Sequence, residues 1–200
     1  MPHPPSQKAQ SRARILRSAR HLFNRRGFAA VTIDQIMADA GLTRGGFYKH
    51  FKTKEQLYAE AIADFNCEGS ETWQREAWQR THFDASARGP RLAKIIVNAY
   101  LSQNHFDDQD GSCPMISVPS EAARGSKTVK IAYRQVLERM AGAFEANLPP
   151  GKPSARQRAL ALVALCVGGM VLARAIDDAA LAKDLRKAAR AHVLAASGWG

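Results

Sequence analysis

Residues 43–51, Thr-Arg-Gly-Gly-Phe-Tyr-Lys-His-Phe, gather a guanidinium, a phenol, an ammonium and an imidazole into a single short stretch. These groups donate to phosphate oxygens and base edges. No nucleophile with a base and an orienting partner stands beside them, so catalysis is not what they point to. Gly45 and Gly46 come directly before Phe47, although each glycine costs a helix interior about 1 kcal/mol relative to alanine. At about 100° per residue, Phe47 and Phe51 share one face, Gly45 and Lys49 lie opposite, and Gly46 and Tyr48 flank them. The outer face is then bare backbone beside a cation and a phenol, which suits close approach to a duplex major groove. Lys49, Tyr48 and His50 would bond phosphate, and the helix N-terminus would add partial positive charge. Arg44 has the fork that bonds guanine bidentately.

The elements that must hold this face can be read on either side of it. Ile15, Leu16, Ala19, Leu22 and Phe23 recur at helical spacing from about Ser11, and Gly27 looks like a stop. Thr32-Ile-Asp-Gln35 reads as a capping box opening a second helix that ends at Gly41. Thr43 is the expected N-cap of a third helix reaching to about Phe51. Thr53-Lys-Glu-Gln56 is a second capping box, opening a long helix through Leu57, Ala61 and Phe65 toward Trp78. Residues 34–40 and 43–51 around Gly41 therefore read as a helix-turn-helix. Charge agrees: residues 1–54 hold eleven Lys and Arg against Asp34 and Asp39, a balance of +9 out of the whole chain's +11. Such a concentration calls for a polyanion, either nucleic acid or an anionic membrane surface.

The run from Thr32-Ile-Asp-Gln-Ile through Ala40-Gly-Leu-Thr-Arg-Gly-Gly-Phe-Tyr-Lys-His-Phe-Lys-Thr-Lys-Glu-Gln-Leu57 resembles the DNA-binding domain of the TetR/AcrR family of transcriptional regulators. The likeness covers about residues 10–60. One departure is Met37, where the family often has a small alanine. The resemblance implies that Thr43, Arg44 and Gly45 reach base edges beside Gly46. It gives Tyr48, Lys49 and His50 the role of phosphate anchors, with Thr32 and Lys54 at helix starts near the backbone. It implies an all-α fold with a flexible tail over 1–9, a helix-turn-helix domain over 10–54, and a helical ligand-binding and dimerisation domain over 55–200. The partners implied are a palindromic double-stranded operator, a small-molecule effector and a second copy of the chain. No cofactor, metal or enzymatic reaction is implied, and the location is the cytoplasm.

The second half varies too widely within the family for roles to be carried across. One helix is expected from Leu92 to about His105, a loop over 106–120, and further helices from Val129 to Phe144, over 154–177 and over 179–196. The run 159–173 is nearly unbroken hydrophobe, and at fifteen residues it is short for a membrane span. An all-round apolar helix of this kind either lies enclosed or meets a partner. The resemblance implies a homodimer through 154–177 and 179–196, with Gly168 and Gly169 allowing close helix approach. Aromatic and sulfur side chains that could line an effector pocket are Trp73, Trp78, Tyr100, His105, Phe106, Met115, Tyr133, Met140, Phe144 and Met170. Cys113 is either a packed residue or a reactive thiol. Asp108-x-Asp110-Gly111 echoes a calcium loop, but Phe106 and Ser117 fall where that loop requires acids, so the calcium reading fails. The spacing of His105, Asp107 and Cys113 matches no known metal cluster.

Overall fold

The structure, a computed structural model, describes residues 6–65, 89–151 and 153–199. Among the described residues there are eleven helices and no strand. The first group is α1 (Gln7–Ala30), α2 (Ile33–Asp39), α3 (Arg44–Phe47) and α4 (Lys54–Asp64). The second is α5 (Gly89–Tyr100), α6 (Gln103–Asp107), α7 (Pro114–Ser117), α8 (Pro119–Arg124), α9 (Lys127–Glu145), α10 (Ala155–Ala175) and α11 (Ala179–Ser197). Helix α4 packs between α1 and α9, and α10 between α9 and α11. Buried side chains from Ile15 to Trp199 form one continuous core.

Local chemistry sets most of the helix ends. Ser6 caps α1 by accepting from the Ala9 N–H, so helix begins at Gln7, within the tail expected over 1–9. Gly27 interrupts the first helix at φ 77° and ψ 168°, and a Cβ there would lie 2.5 Å from Glu121 Oε1. The backbone angle favours glycine at that position, and a Cβ would have to displace the Glu121 carboxylate. The Thr32–Gln35 capping box forms reciprocally. The Thr53 box is shifted: Thr53 Oγ1 accepts from the Gln56 N–H, but Gln56 Oε1 takes the Lys52 N–H. The course of the fourth helix beyond Phe65, toward Trp78, lies outside the described residues.

Two expectations for the second half are corrected. The helix expected from Leu92 to His105 is two helices, because Ser102 caps α6 through the His105 N–H. The loop expected over 106–120 holds α7 and α8, with Pro114 and Pro119 at their first positions. Proline's missing N–H costs nothing in a first turn, so these two prolines start helices instead of breaking one.

The two groups of helices meet in a polar joint. Asn24 Nδ2 donates to the carbonyls of Asp110 and Ser112 at 2.8 and 3.0 Å, and its Oδ1 accepts from Ser117 Oγ at 2.8 Å. Arg25 forks onto the Asp110 carboxylate. Glu121 accepts the Phe28 N–H at 2.8 Å, filling the place that Gly27 leaves open. Behind the same loop Arg174 of α10 donates to Ser112 Oγ and to the carbonyls of His105 and Asp108. Acids of the would-be calcium loop are thus used structurally: Asp110 binds Arg25, and Asp108 Oδ1 accepts from the Gly111 N–H.

Candidate nucleic-acid interface

The turn between α2 and α3 is a Schellman motif. The Leu42 N–H reaches the Met37 carbonyl at 2.8 Å, the Gly41 N–H reaches Ala38 at 2.9 Å, and Gly41 takes φ 64°. Arg14, from α1, donates to the Ala40 carbonyl and lies 3.4 Å from the Gly41 carbonyl. It thereby satisfies acceptors that the end of α2 leaves free. Nothing in the local sequence around Arg14 signals this role, because its partners are 26 and 27 residues away.

The third helix is shorter than expected. Only Arg44–Phe47 is α-helical, and the N–H groups of Lys49 and His50 fold back onto Gly46 and Phe47 in tighter turns. One turn of helix carries little macrodipole, so attraction for phosphate falls to the side chains rather than to the helix N-terminus. Thr43 occupies the N-cap position without a side-chain cap bond.

The division of faces follows the helical reading. Phe47 and Phe51 are 0% and 1% exposed, whereas Tyr48 is 61% exposed. Thr32, Thr43, Arg44, Gly45 and Lys49 are exposed as well. A Cβ built on Gly45 would meet nothing within 4 Å, so packing within the chain does not require glycine there. At Gly46 the nearest atom would be Met37 Cε at 3.5 Å, so Met37, buried in α2, fills the space beside that glycine. The Tyr48 ring rests edge-on against Phe47.

Three positions differ in character from a simple row of cations. Arg44 Nη1 donates to Asp34 Oδ2 at 2.8 Å, an exposed pair across the two helices. His50 is half-buried, with Nδ1 unpartnered, and burial together with nearby Lys8, Arg12 and Lys49 lowers its pKa. Lys54 places its ammonium 4.2 Å from the centre of the Phe28 ring, and burial lowers its pKa while Glu121 opposes that. Its charge therefore sits at the joint toward α8.

The expected pocket residues separate into groups. Tyr100, His105, Met115, Phe144 and Met170 are buried, while Tyr133, Met140 and Phe106 pack partly buried against the core. Trp73, Trp78 and also Cys67 lie outside the described residues. Phe144 is stacked edge-on against Trp199, whose indole N–H donates to the Asn147 carbonyl, so it closes the chain end. Phe106 lines an open cleft of about 390 Å³ with Asn24, Ile116, Ser117 and Arg174, over the polar joint. Within this core His105 Nε2 has no hydrogen-bond partner, and Tyr100 Oη faces only the Cys113 thiol. His105 Nδ1 lies 2.7 Å from the Tyr100 carbonyl, which can only accept, so Nδ1 carries the proton and Nε2 is a bare lone pair. Burial pulls the His105 pKa down to about 4, so the ring is neutral at pH 7.

The Cys113 thiol faces the Tyr100 hydroxyl, is 1% exposed, and is pushed up to about 11 by burial. A thiol so placed is protonated near neutrality and screened from oxidants. Among the described residues, no three His, Cys, Asp or Glu side chains gather as metal ligands.

A short glycine-faced helix held in a helix-turn-helix, with a second group of helices packed behind it, is the arrangement of a DNA-binding transcriptional regulator. A profile of bacterial regulatory proteins of the tetR family matches residues 15–61. The chain is 26% identical to the uncharacterized HTH-type transcriptional regulator YdgC of Bacillus subtilis, over 83% of this chain and 80% of that one. It is 42% identical to the HTH-type transcriptional repressor KstR2 of Mycolicibacterium smegmatis, over 32% of this chain and 31% of that one. In fold it matches a TetR transcriptional regulator from Chloroflexus aurantiacus with a TM-score of 0.73 at 22% identity, covering 96% of each chain. Residues 15–61 thus match the tetR family of bacterial regulatory proteins, and the chain as a whole is similar to regulators of that kind.

The free space at Gly45 yields a test. Gly45→Ala is expected to raise stability by about 0.5–1 kcal/mol, since alanine favours the helix and meets no neighbour. The same change is expected to weaken DNA binding, because a methyl group then stands on the face meant for the groove. Urea unfolding and fluorescence anisotropy on one preparation read both effects. Unchanged DNA affinity would remove the groove-access explanation of this glycine.

Proposed function

We propose that the protein is a homodimeric repressor that reads a palindromic operator and is released from it by a small molecule. Residues 10–54 form the reading head, and 55–200 bind effector and partner. The observation that carries the reading is the third helix, buried through Phe47 and Phe51 and bare at Gly45 between exposed Arg44, Tyr48 and Lys49. Thr32, Thr43 and His50 complete the contact surface, and Lys54 supports it from the joint. A related protein, KstR2, is named a repressor, and repression is the direction proposed here. The protein works by binding in the cytoplasm, where its operator is.

Operator binding divides by residue. Lys49→Ala is expected to weaken binding to all duplexes alike and to lower the salt slope by about 1, since one phosphate contact is lost. Arg44→Ala is expected to weaken operator binding more than random binding, by about 1–3 kcal/mol for a lost bidentate base contact. Titrations of both variants on operator and random DNA at several salt concentrations check this; equal losses for Arg44→Ala would refute its reading role.

Dimerisation through α10 and α11 is supported by what they leave open. Leu160, Leu165 and Leu172 of α10 and Leu181 of α11 are 37–56% exposed. Helix α10 is 21 residues long and apolar enough to cross a membrane by length and composition, with a third of its apolar window buried. Its packing on α9 and α11 and its three arginines favour a protein partner instead. Gly169 allows close approach inside the protomer, where an added Cβ would lie 2.7 Å from Ala189 Cβ. Gly168 has open space, which suits approach of the second copy. Two copies would set their reading heads one helical turn apart, about 34 Å. Leu172→Glu is expected to give a folded monomer with at least tenfold lower operator affinity, seen by sedimentation and anisotropy; a persisting dimer moves the interface elsewhere.

For the effector, the unpartnered His105 Nε2 offers an acceptor, and Tyr100 Oη, met only by the weakly bonding Cys113 thiol, offers a donor inside an aromatic and sulfur-lined core. Buried polar atoms without partners are rare enough to need an explanation. A neutral ligand with both hydrogen-bonding characters would supply it, and would act by favouring the form that does not bind DNA. Any compound that releases the wild-type protein is expected to need a several-fold higher dose with Tyr100→Phe, while operator affinity without ligand stays the same. An unchanged dose–response would clear Tyr100 of the role.

A further inference from the structure

We propose that Asp34 is a specificity-determining positioning residue, which aims the Arg44 guanidinium at guanine and penalises other bases. The inference rests on the reading of Arg44 as a base-contacting residue and adds a residue to it. Asp34 stands in the first turn of α2, and Arg44 opens α3. Their single bond joins Arg44 Nη1 to Asp34 Oδ2 at 2.8 Å, with both side chains more than half exposed.

The geometry uses only part of each group. A guanidinium has two forked edges, one through Nη1 and Nη2, the other through Nη2 and Nε. With Nη1 engaged by the carboxylate, the Nη2–Nε edge remains available for the O6 and N7 acceptors of guanine. An arginine on an exposed helix otherwise samples many rotamers and bonds any nearby phosphate, which carries no sequence information. The ion pair reduces that choice. Asp34 also keeps a second oxygen, Oδ1, which can accept only from a donor such as the cytosine amino group.

Electrostatics makes the acid informative. Exposed along α2, α3 and the turn after them are Arg44, Lys49 and Lys52, neutral Thr32, Thr43 and Tyr48, and one further acid, Asp39, at the far end of α2. A carboxylate among them opposes phosphate binding, and an exposed ion pair adds little to stability. An acid that weakens general affinity while fixing one donor is arranged for discrimination.

The test uses the full-length protein and a randomised palindromic duplex pool, from which a preferred sequence is selected. Wild type, Asp34→Asn, Asp34→Ala, Arg44→Ala and the double Ala variant are then titrated on that duplex, on a copy with the Arg44-dependent guanine replaced by adenine, and on random DNA. Thermal melting checks that each is folded. Expected are a guanine preference of roughly 10–100-fold in the wild type, a several-fold smaller one in both Asp34 variants, and tighter binding of those variants to random DNA. The double variant should match Arg44→Ala. A merely structural role would instead lower affinity on every duplex alike, and that result overturns the proposal. Full guanine preference in both Asp34 variants overturns it too, leaving Arg44 in place. If Arg44→Ala keeps the preference, the assignment of Arg44 fails, and the role of Asp34 falls with it.

Discussion

Burial of Phe47 and Phe51 is the constraint on which the rest of the molecule depends. A four-residue helix with two glycines has no stability of its own, since nucleation is unfavourable and each glycine adds about 1 kcal/mol of cost. Two fully buried phenylalanine rings supply about 1.5–3 kcal/mol each, enough to offset that cost. Because the anchoring is on one side only, the other side is left without packing duties. Gly45 can then be bare, and Arg44, Tyr48 and Lys49 can stand in solvent.

The turn before this helix is fixed from elsewhere in the chain. Gly41 supplies the positive φ that a Schellman turn requires, and Arg14 holds the carbonyl end of α2 from the side of α1. Arg12 acts similarly on the far side, pairing with Glu60 of α4 and lying over the Phe51 ring. Basic residues of α1 that look from composition like DNA-facing charge therefore also brace the helix-turn-helix. Their cost in entropy is shared with the core that α1 already makes.

The same economy governs the joint between the two halves. Asn24, Arg25 and the Phe28 N–H bind the loop and helix that follow α6, and Arg174 of α10 grips that loop from behind. His105 gives its carbonyl to Arg174 and its ring to the core, so a shift of that ring and a shift of α1 act on one set of hydrogen bonds. Any movement of α1 against the second group of helices must break or re-form these bonds, together with the packing of α4 between α1 and α9. Two discrete arrangements of such a network are what a regulator needs to switch.

The sequence alone determined what short-range chemistry can specify. Helical periodicity, the Thr32 box, the glycine at the turn and the opposition of Phe47 to Gly45 all depend on residues within four positions of each other, and they stand as read. Pro114 and Pro119 do not declare their role in the sequence, because proline ends a helix or begins one according to its place in it, and only the folded chain gives that place. The break at Ser102 and the earlier start of α1 have the same cause, since serine caps a helix only where the backbone turns out of it. Arg14 on the turn, Asp34 beside Arg44, Glu121 in the space above Gly27, the Cys113 thiol against Tyr100 and the unpartnered Nε2 of His105 were decided by tertiary structure. Each depends on groups brought together from distant segments, where burial and charge are set by what arrives from elsewhere in the chain and not by the neighbours in sequence.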